Sequence, residues 1–292
     1  MTKYSIIIPT FNRLKYLVEL LESIEHCEFD LTVVEVIVVN DGSTDGTGSF
    51  LSDYLLKKHR FSFNFYDLKN NGPAYARNHG ASKSIGTWLI FIDDDCLISK
   101  SYFSAVESLT SIHSDLAAIS GYIVAFSKTL ISRYIDWSGM MLSPFVDNYH
   151  KSYFITANAL VRKDVFFKIG GFNLTFKNAS GEDVFLSQQI RSAGFSIYFD
   201  KKILVRHRHR DTFLGLIRTC NLYGKGHFQV DYLGGTFSRH NYFRNIFSAV
   251  SVSLVRIWRS KSFLFGFQFL FLDIFRSIAW THGYKKAMNE KR

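Results

Sequence analysis

Residues 4–9 (YSIIIP) form a short apolar run halted by proline, the pattern of a strand buried on both faces of a parallel sheet. Beyond it, Leu14, Leu17, Val18, Leu21 and Ile24 recur at helical spacing, with Asn12 placed to cap that helix. The alternation then repeats. Residues 33–39 (VVEVIVV) predict a second strand ending in Asn40-Asp41-Gly42-Ser43, residues 44–59 a helix, and residues 61–68 a third strand. A turn at Asn70-Asn71-Gly72-Pro73 leads to a helix near 74–85, and residues 87–92 (TWLIFI) predict a fourth strand running straight into Asp93-Asp94-Asp95. A helix near 99–114, a strand near 116–126 and a long irregular stretch to about 152 follow. Residues 154–172 lead through Gly181 into a helix stopped by Gly194, and residues 196–207 predict another strand. Strand and helix alternating in this way predict an α/β fold with a mostly parallel sheet flanked by helices.

The pattern changes near residue 240, which divides the chain into an α/β domain over 1–240 and a helical, apolar and basic extension over 241–292. Residues 242–258 and 262–280 are apolar segments punctuated by charge. The second is 19 residues long, near the lower bound for spanning a bilayer. Asp273 and Arg276 sit inside it, and charge at that depth is costly. Helices lying at the interface, with Arg256, Arg259, Lys261, Lys285 and Lys286 toward lipid headgroups, fit this pattern better than a span. A helical pair packed on the domain fits it as well.

Composition sharpens this picture at two points. The net charge of +10 is entirely C-terminal: residues 201–292 carry 17 Lys and Arg against 4 Asp and Glu, while residues 1–200 carry 18 against 21. Such a tail suits a membrane surface, whereas nucleic acid is disfavoured because no helix-turn-helix, zinc-finger or RNA-binding signature is present. The three cysteines, Cys27, Cys96 and Cys220, lie far apart without metal-ligand spacing, as expected of a reducing compartment. The first strand starts too close to Met1 to leave room for a signal peptide. The expected location is cytoplasmic, at the inner face of the cell membrane.

In an open parallel sheet, ligands bind beyond the carboxyl ends of the strands, and the polar clusters lie at those ends. Pro9, Thr10 and Asn12 follow the first strand, Asp41 the second, and Asp93, Asp94 and Asp95 the fourth. Three adjacent carboxylates repel one another, so a cation is expected there; hard oxygen ligands suit Mg²⁺ or Mn²⁺ shared with phosphate oxygens. Asp41 could bond a uracil imide or cap the helix near Thr44. Arg77 lies about one turn into its helix, where it could reach a diphosphate or remain a surface arginine. Glu182 and Asp183 open a helix, where acids suit the dipole, and one could serve as the base that an attacking hydroxyl requires. His207 ends a strand, as a structural histidine or an imidazole ligand to the same metal. Trp137 could stack on an acceptor sugar or belong to the core.

Taken in order, SIIIPTFNR at 5–13, VIVVNDGSTDGT at 36–47, NNGPAYARNHGASKSIGTWLIFIDDDC at 70–96, TANALVRKDVFFKIGGF at 156–172, GEDVFLSQQIRSAG at 181–194 and VRH at 205–207 resemble a family 2 glycosyltransferase of the GT-A fold. The resemblance implies an inverting enzyme that moves a sugar from a nucleotide-sugar donor, favouring UDP, to a glycan or lipid-linked acceptor in cell-surface polysaccharide synthesis. It implies that Thr10 and Asp41 hold the base, with Arg77 and Asp93 near the rest of the nucleotide. By the same resemblance Asp95 and His207 bind the metal and Asp183 is the catalytic base. No QxxRW-type run of the processive synthases is present, so a single addition is expected. Two readings compete: a polyprenyl-phosphate glycosyltransferase, whose acceptor needs no base, and a non-catalytic nucleotide-sugar-binding scaffold.

Overall fold

The computed structural model describes residues 2–113, 115–235 and 263–291. They fall into two compact units, Met1–Phe126 with Met141–Arg208, and Ser127–Met140 with His209–Arg292. The boundary expected near residue 240, together with Arg256, Arg259 and Lys261, lies outside the described residues.

The first unit is built on a nine-stranded sheet. Its first half comprises β1 (Tyr4–Thr10), β2 (Val34–Asn40), β3 (Ser62–Asp67) and β4 (Trp88–Phe91), all parallel, with β1 between β2 and β4. The apolar runs are buried on both faces, as that pattern predicts. Pro9, which has no N–H to donate, lies past the end of the β1–β4 ladder, which stops at Ile7 opposite Phe91. Helices α1 (Leu14–Glu25), α2 (Thr47–Leu55) and α3 (Pro73–Lys83) follow the first three strands. On α3, Gly80 packs so closely on β1 that a Cβ there would lie 2.6 Å from the Ile7 Cγ2 methyl.

The second half of the sheet is mixed. It contains β5 (Cys96–Ile98), β6 (Ala118–Ala125), β7 (His150–Lys151), β8 (Ala159–Arg162) and β9 (Ile197–His207), with β8 antiparallel to both β4 and β6. The short β5 runs antiparallel to β9, with Cys96 opposite His207. Helices α4 (Tyr102–Ile112), α6 (Lys163–Lys168) and α7 (Glu182–Ser192) complete this unit. Phe91, Phe166, Phe172, Leu186 and Ile190 form part of one buried cluster that packs α6 and α7 against the sheet.

Several expectations need correction. Asn12 does not cap α1: its backbone is left-handed at φ 53°, and its side chain instead accepts the Thr44 N–H at 2.7 Å. The Leu14 N–H at the start of α1 is satisfied by Asp45 Oδ2 at 2.9 Å, from the loop after β2. The helix expected from residue 99 begins only at Tyr102 because β5 occupies Cys96–Ile98. The stretch expected to be irregular up to 152 contains β7 and the helix α5 (Leu130–Ser138), which Thr129 caps through its side chain.

The second unit contains α5, α8 (Phe213–Leu233) and α9 (Phe263–Glu290). Glycines let α8 and α9 approach closely: a Cβ at Gly224 would sit 1.9 Å from the Trp280 carbonyl oxygen, and one at Gly283 equally close to that of Asn221. Asp273, 1% exposed, accepts the Tyr134 hydroxyl at 2.6 Å and pairs with Arg276 at 3.1 Å. The two charges inside the apolar segment are thus matched within the unit. Trp137 packs its ring 5.0 Å from that of Phe269. Among the described residues no helix is long and apolar enough to cross a membrane.

Candidate active site

The carboxyl ends of β1 and β4 and the loop after β1 converge on the aspartate triplet. Thr10 Oγ1, at the end of β1, donates to Asp94 Oδ2 at 2.7 Å. Arg13, which precedes α1, donates from one guanidinium nitrogen to Asp94 Oδ1 at 2.9 Å and to Asp95 Oδ2 at 2.6 Å. Antiparallel pairing of β5 with β9 brings His207 alongside, with Nε2 at 3.1 Å from Asp95 Oδ1. Burial pushes Asp94 up to about 7, against the pull of Arg13 and with the Asp95 charge adding to the rise. For Asp95 burial also acts upward, but His207 and Arg13 outweigh it and hold this carboxyl well below the usual range. Burial lowers His207, yet the Asp95 charge outweighs it and the imidazole pKa is raised.

A second group forms around Arg77 on α3. The guanidinium is buried, at 2% exposure, and lies 5.8 Å from the Phe172 ring. It donates to Asp93 Oδ1 at 2.6 Å and to Glu182 Oε1 at 3.0 Å. This contact ties the loop after β4 to the first residue of α7. Gly181 opens α7 with φ 88°, a conformation that a residue with a Cβ rarely adopts, and no side chain caps the helix. Glu182 and Asp183 stand instead in the first turn, where the helix dipole favours negative charge. Burial drives Glu182 up to about 8, with Asp183 adding to the rise and Arg77 opposing it. Burial also raises the half-buried Asp183, to about 6; the N–H groups of Val184 and Thr156 and the charge of Arg77 limit the rise.

Asp41 ties the loops together. Its carboxylate accepts the N–H groups of Asn71 at 2.9 Å and Gly72 at 2.8 Å, and its own N–H donates to the Thr10 carbonyl at 2.9 Å. It holds the turn before α3 and does not cap α2. Of the residues singled out from sequence, Thr10, Asp94, Asp95 and His207 meet in one cluster, and Arg77, Asp93 and Glu182 in another, with Asp183 next in the chain. Pro9 and Asn12 lie in the strand end and loop beside Thr10, whereas Trp137 makes its ring contacts inside the second unit. Sequence reasoning missed Arg13. Its only signal is a cation one residue after the loop that faces three acids.

The residues present fit a divalent cation. Asp95 Oδ1 is buried and has no aligned hydrogen-bond donor. Together with His207 and Cys96 it forms a group whose candidate ligand atoms lie within 4.8 Å of one another. Burial and the neighbouring aspartates push the Cys96 thiol well above its ordinary value, and it points a hydrogen bond at the Ala157 carbonyl. That leaves one hard carboxylate and one borderline imidazole, with no thiolate to favour a soft metal, a set that suits Mn²⁺ or Mg²⁺ once phosphate oxygens are added.

Known proteins are similar to this chain in sequence and in fold. The poly(ribitol-phosphate) β-N-acetylglucosaminyltransferase TarS of Staphylococcus aureus is 34% identical over 122 residues, 41% of this chain and 21% of TarS. The chain therefore spans about a fifth of that relative's length. Glycosyltransferase AglE of Haloferax volcanii is 27% identical over 77% of this chain and 73% of its own. Among solved structures, the mannosyltransferase PcManGT of Pyrobaculum calidifontis, in complex with GDP-Man and Mn²⁺, superposes with a TM-score of 0.74 at 15% identity, covering 99% of this chain and 88% of that one. TarS residues 1–349 in complex with UDP-GlcNAc give a TM-score of 0.56 at 17% identity, covering 100% and 93%. These likenesses identify the fold as GT-A. The profile of glycosyl transferase family 2 matches residues 5–182, more than half of the sequence, and the chain belongs to that family.

Proposed function

We propose that this protein is an inverting glycosyltransferase that moves one sugar from a nucleotide-diphosphate sugar to a hydroxyl of a glycan or lipid-linked acceptor in cell-surface polysaccharide or glycoconjugate synthesis. The observation that carries the reading is the Arg77 contact with both Asp93 and Glu182. It couples the aspartate cluster to the acid pair that opens α7, so a donor-binding element and a base share one end of the sheet.

In this reading the acceptor oxygen attacks the anomeric carbon from the side opposite the nucleotide. The new C–O bond forms as the bond to the diphosphate breaks, which inverts the configuration. Asp183, raised to about 6, is ionised at neutral pH and takes the hydroxyl proton. Glu182 accepts from the Arg77 guanidinium at 3.0 Å and is engaged there, so it supports the site without competing for that proton. Asp95 and His207 would hold a Mn²⁺ or Mg²⁺ ion, which offsets charge on the departing diphosphate when bound. Thr10 and Asp41 frame the nucleotide end. The complexes of the two structural relatives, one with GDP-Man and Mn²⁺ and one with UDP-GlcNAc, support a nucleotide-sugar donor; UDP is the base we favour.

Membrane contact at the inner face of the cell belongs to the same reading. On α9, Phe271, Ile274 and Ile278 are exposed at helical spacing and are followed by exposed Lys285 and Lys286. An apolar stripe continued by cations suits an anionic lipid surface.

A donor screen tests the proposal: purified protein with Mn²⁺ and a panel of UDP-, GDP- and TDP-sugars, read by nucleoside diphosphate release with and without EDTA. Metal-dependent release from one donor is expected. Binding without release points to the need for a lipid-linked acceptor, including a polyprenyl phosphate. Neither binding nor release overturns the transferase reading.

A further inference from the structure

The aspartate cluster carries a cation of its own. Arg13 Nη1 bridges Asp94 Oδ1 and Asp95 Oδ2 at 2.9 and 2.6 Å, while His207 faces the other oxygen of Asp95. Both carboxylates are buried, at 3% and 7% exposure. The Arg13 side chain is 36% exposed and has an open path to solvent. Arg13 thus already satisfies one oxygen of the carboxylate that a divalent ion would need. A guanidinium so close to an entering dication repels it, in a buried setting where charges are screened far less than in water.

We propose that Arg13 is a built-in counter-cation that competes with the divalent metal for Asp95 and keeps metal affinity low until a diphosphate brings the negative charge that lets both cations remain. The inference rests on the metal reading of Asp95 and His207 given above. It makes metal and nucleotide binding a coupled event: the free protein resists the ion, and the donor's diphosphate relieves the clash of like charges. The coupling is set by one side chain that is not itself a ligand to the metal.

Mn²⁺ binding measured by electron paramagnetic resonance, with no nucleotide present, separates the possibilities. Arg13→Gln removes the competing charge and is expected to tighten Mn²⁺ binding roughly tenfold, within the range typical of coupled sites. Arg13→Lys keeps a cation and should stay near wild type, and thermal melts of both variants confirm that they are folded. Equal or weaker Mn²⁺ binding by Arg13→Gln overturns the competition while leaving the metal site intact. Asp95→Ala should abolish binding in either background. The titration repeated with a nucleoside diphosphate present should bring wild type and Arg13→Gln together, and absence of Mn²⁺ binding to every variant under that condition overturns the metal reading and the competition with it.

Discussion

Arg77 gives one guanidinium nitrogen to Asp93 at 2.6 Å and the other to Glu182 at 3.0 Å, and is itself only 2% exposed. Of the two readings the sequence leaves open, burial excludes a surface arginine: the fold uses the side chain as an internal brace between the loop after β4 and α7. Its charge is matched by two acids before any ligand arrives. A burial cost of this size is tolerated only because the partners are well placed.

Replacing Arg77 with Met should therefore destabilise the protein by about 3–5 kcal/mol, since it leaves the buried Glu182 and the half-buried Asp93 without their cation. Urea unfolding would report this. A loss below about 1 kcal/mol would show that the brace contributes little. Arg77→Lys should restore only part of the loss, because an ammonium cannot reach both acids in the forked geometry of a guanidinium.

Asp183 predicts the pH dependence of transfer. Its pKa is raised to about 6, and a base acts when deprotonated, so activity should climb with pH up to about 6 and level off above it. Asp183→Asn should lower kcat by roughly a hundredfold or more while donor affinity, measured by calorimetry, is retained. A mutant that loses donor binding and transfer equally would argue for a positioning role. The linkage to stability has the opposite sense: because the folded pKa lies above the unfolded value near 3.8, this group's contribution is fully present below pH 3.8 and is lost as pH rises through about 6.

The exposed stripe of α9 gives a third test. Co-sedimentation with vesicles containing anionic lipid should be salt-sensitive, and Ile278→Glu should weaken it at least about tenfold, given that burying one such side chain contributes about 1.5–3 kcal/mol. Binding unchanged by this substitution and by Lys285→Glu with Lys286→Glu would show that the membrane, if engaged, uses another face.

How far the sequence discloses this arrangement depends on the length of each signal. Runs such as VVEVIVV and TWLIFI are long and rich in β-branched and aromatic residues, and the strands they predict occur within a residue or two of the expected bounds. The three-residue β5 is too short to stand out, and the triplet before it draws the eye to charge rather than to structure. Yet β5 is what sets Asp95 against His207, residues more than a hundred positions apart. Helix α8 alternates Gly224 and Gly226 with polar residues, so its apolar spacing is blurred; its cohesion comes from close contact with α9, which a linear pattern does not record. Asp41 illustrates the same limit. Asp-Gly-Ser before a helix reads as a cap, whereas both of its carboxylate bonds go to a turn thirty residues downstream.

The loops after β1 and β2 hold each other. Asn12 donates its N–H to Ser43 and accepts from Thr44, while Asp45 satisfies the first N–H of α1. Neither loop can drift in sequence without the other registering the change. For protein engineering they form a single heritable module: a chimera with a relative that exchanges only one of them would separate donors from acceptors, whereas transplanting residues from both loops together should transfer their conformation intact.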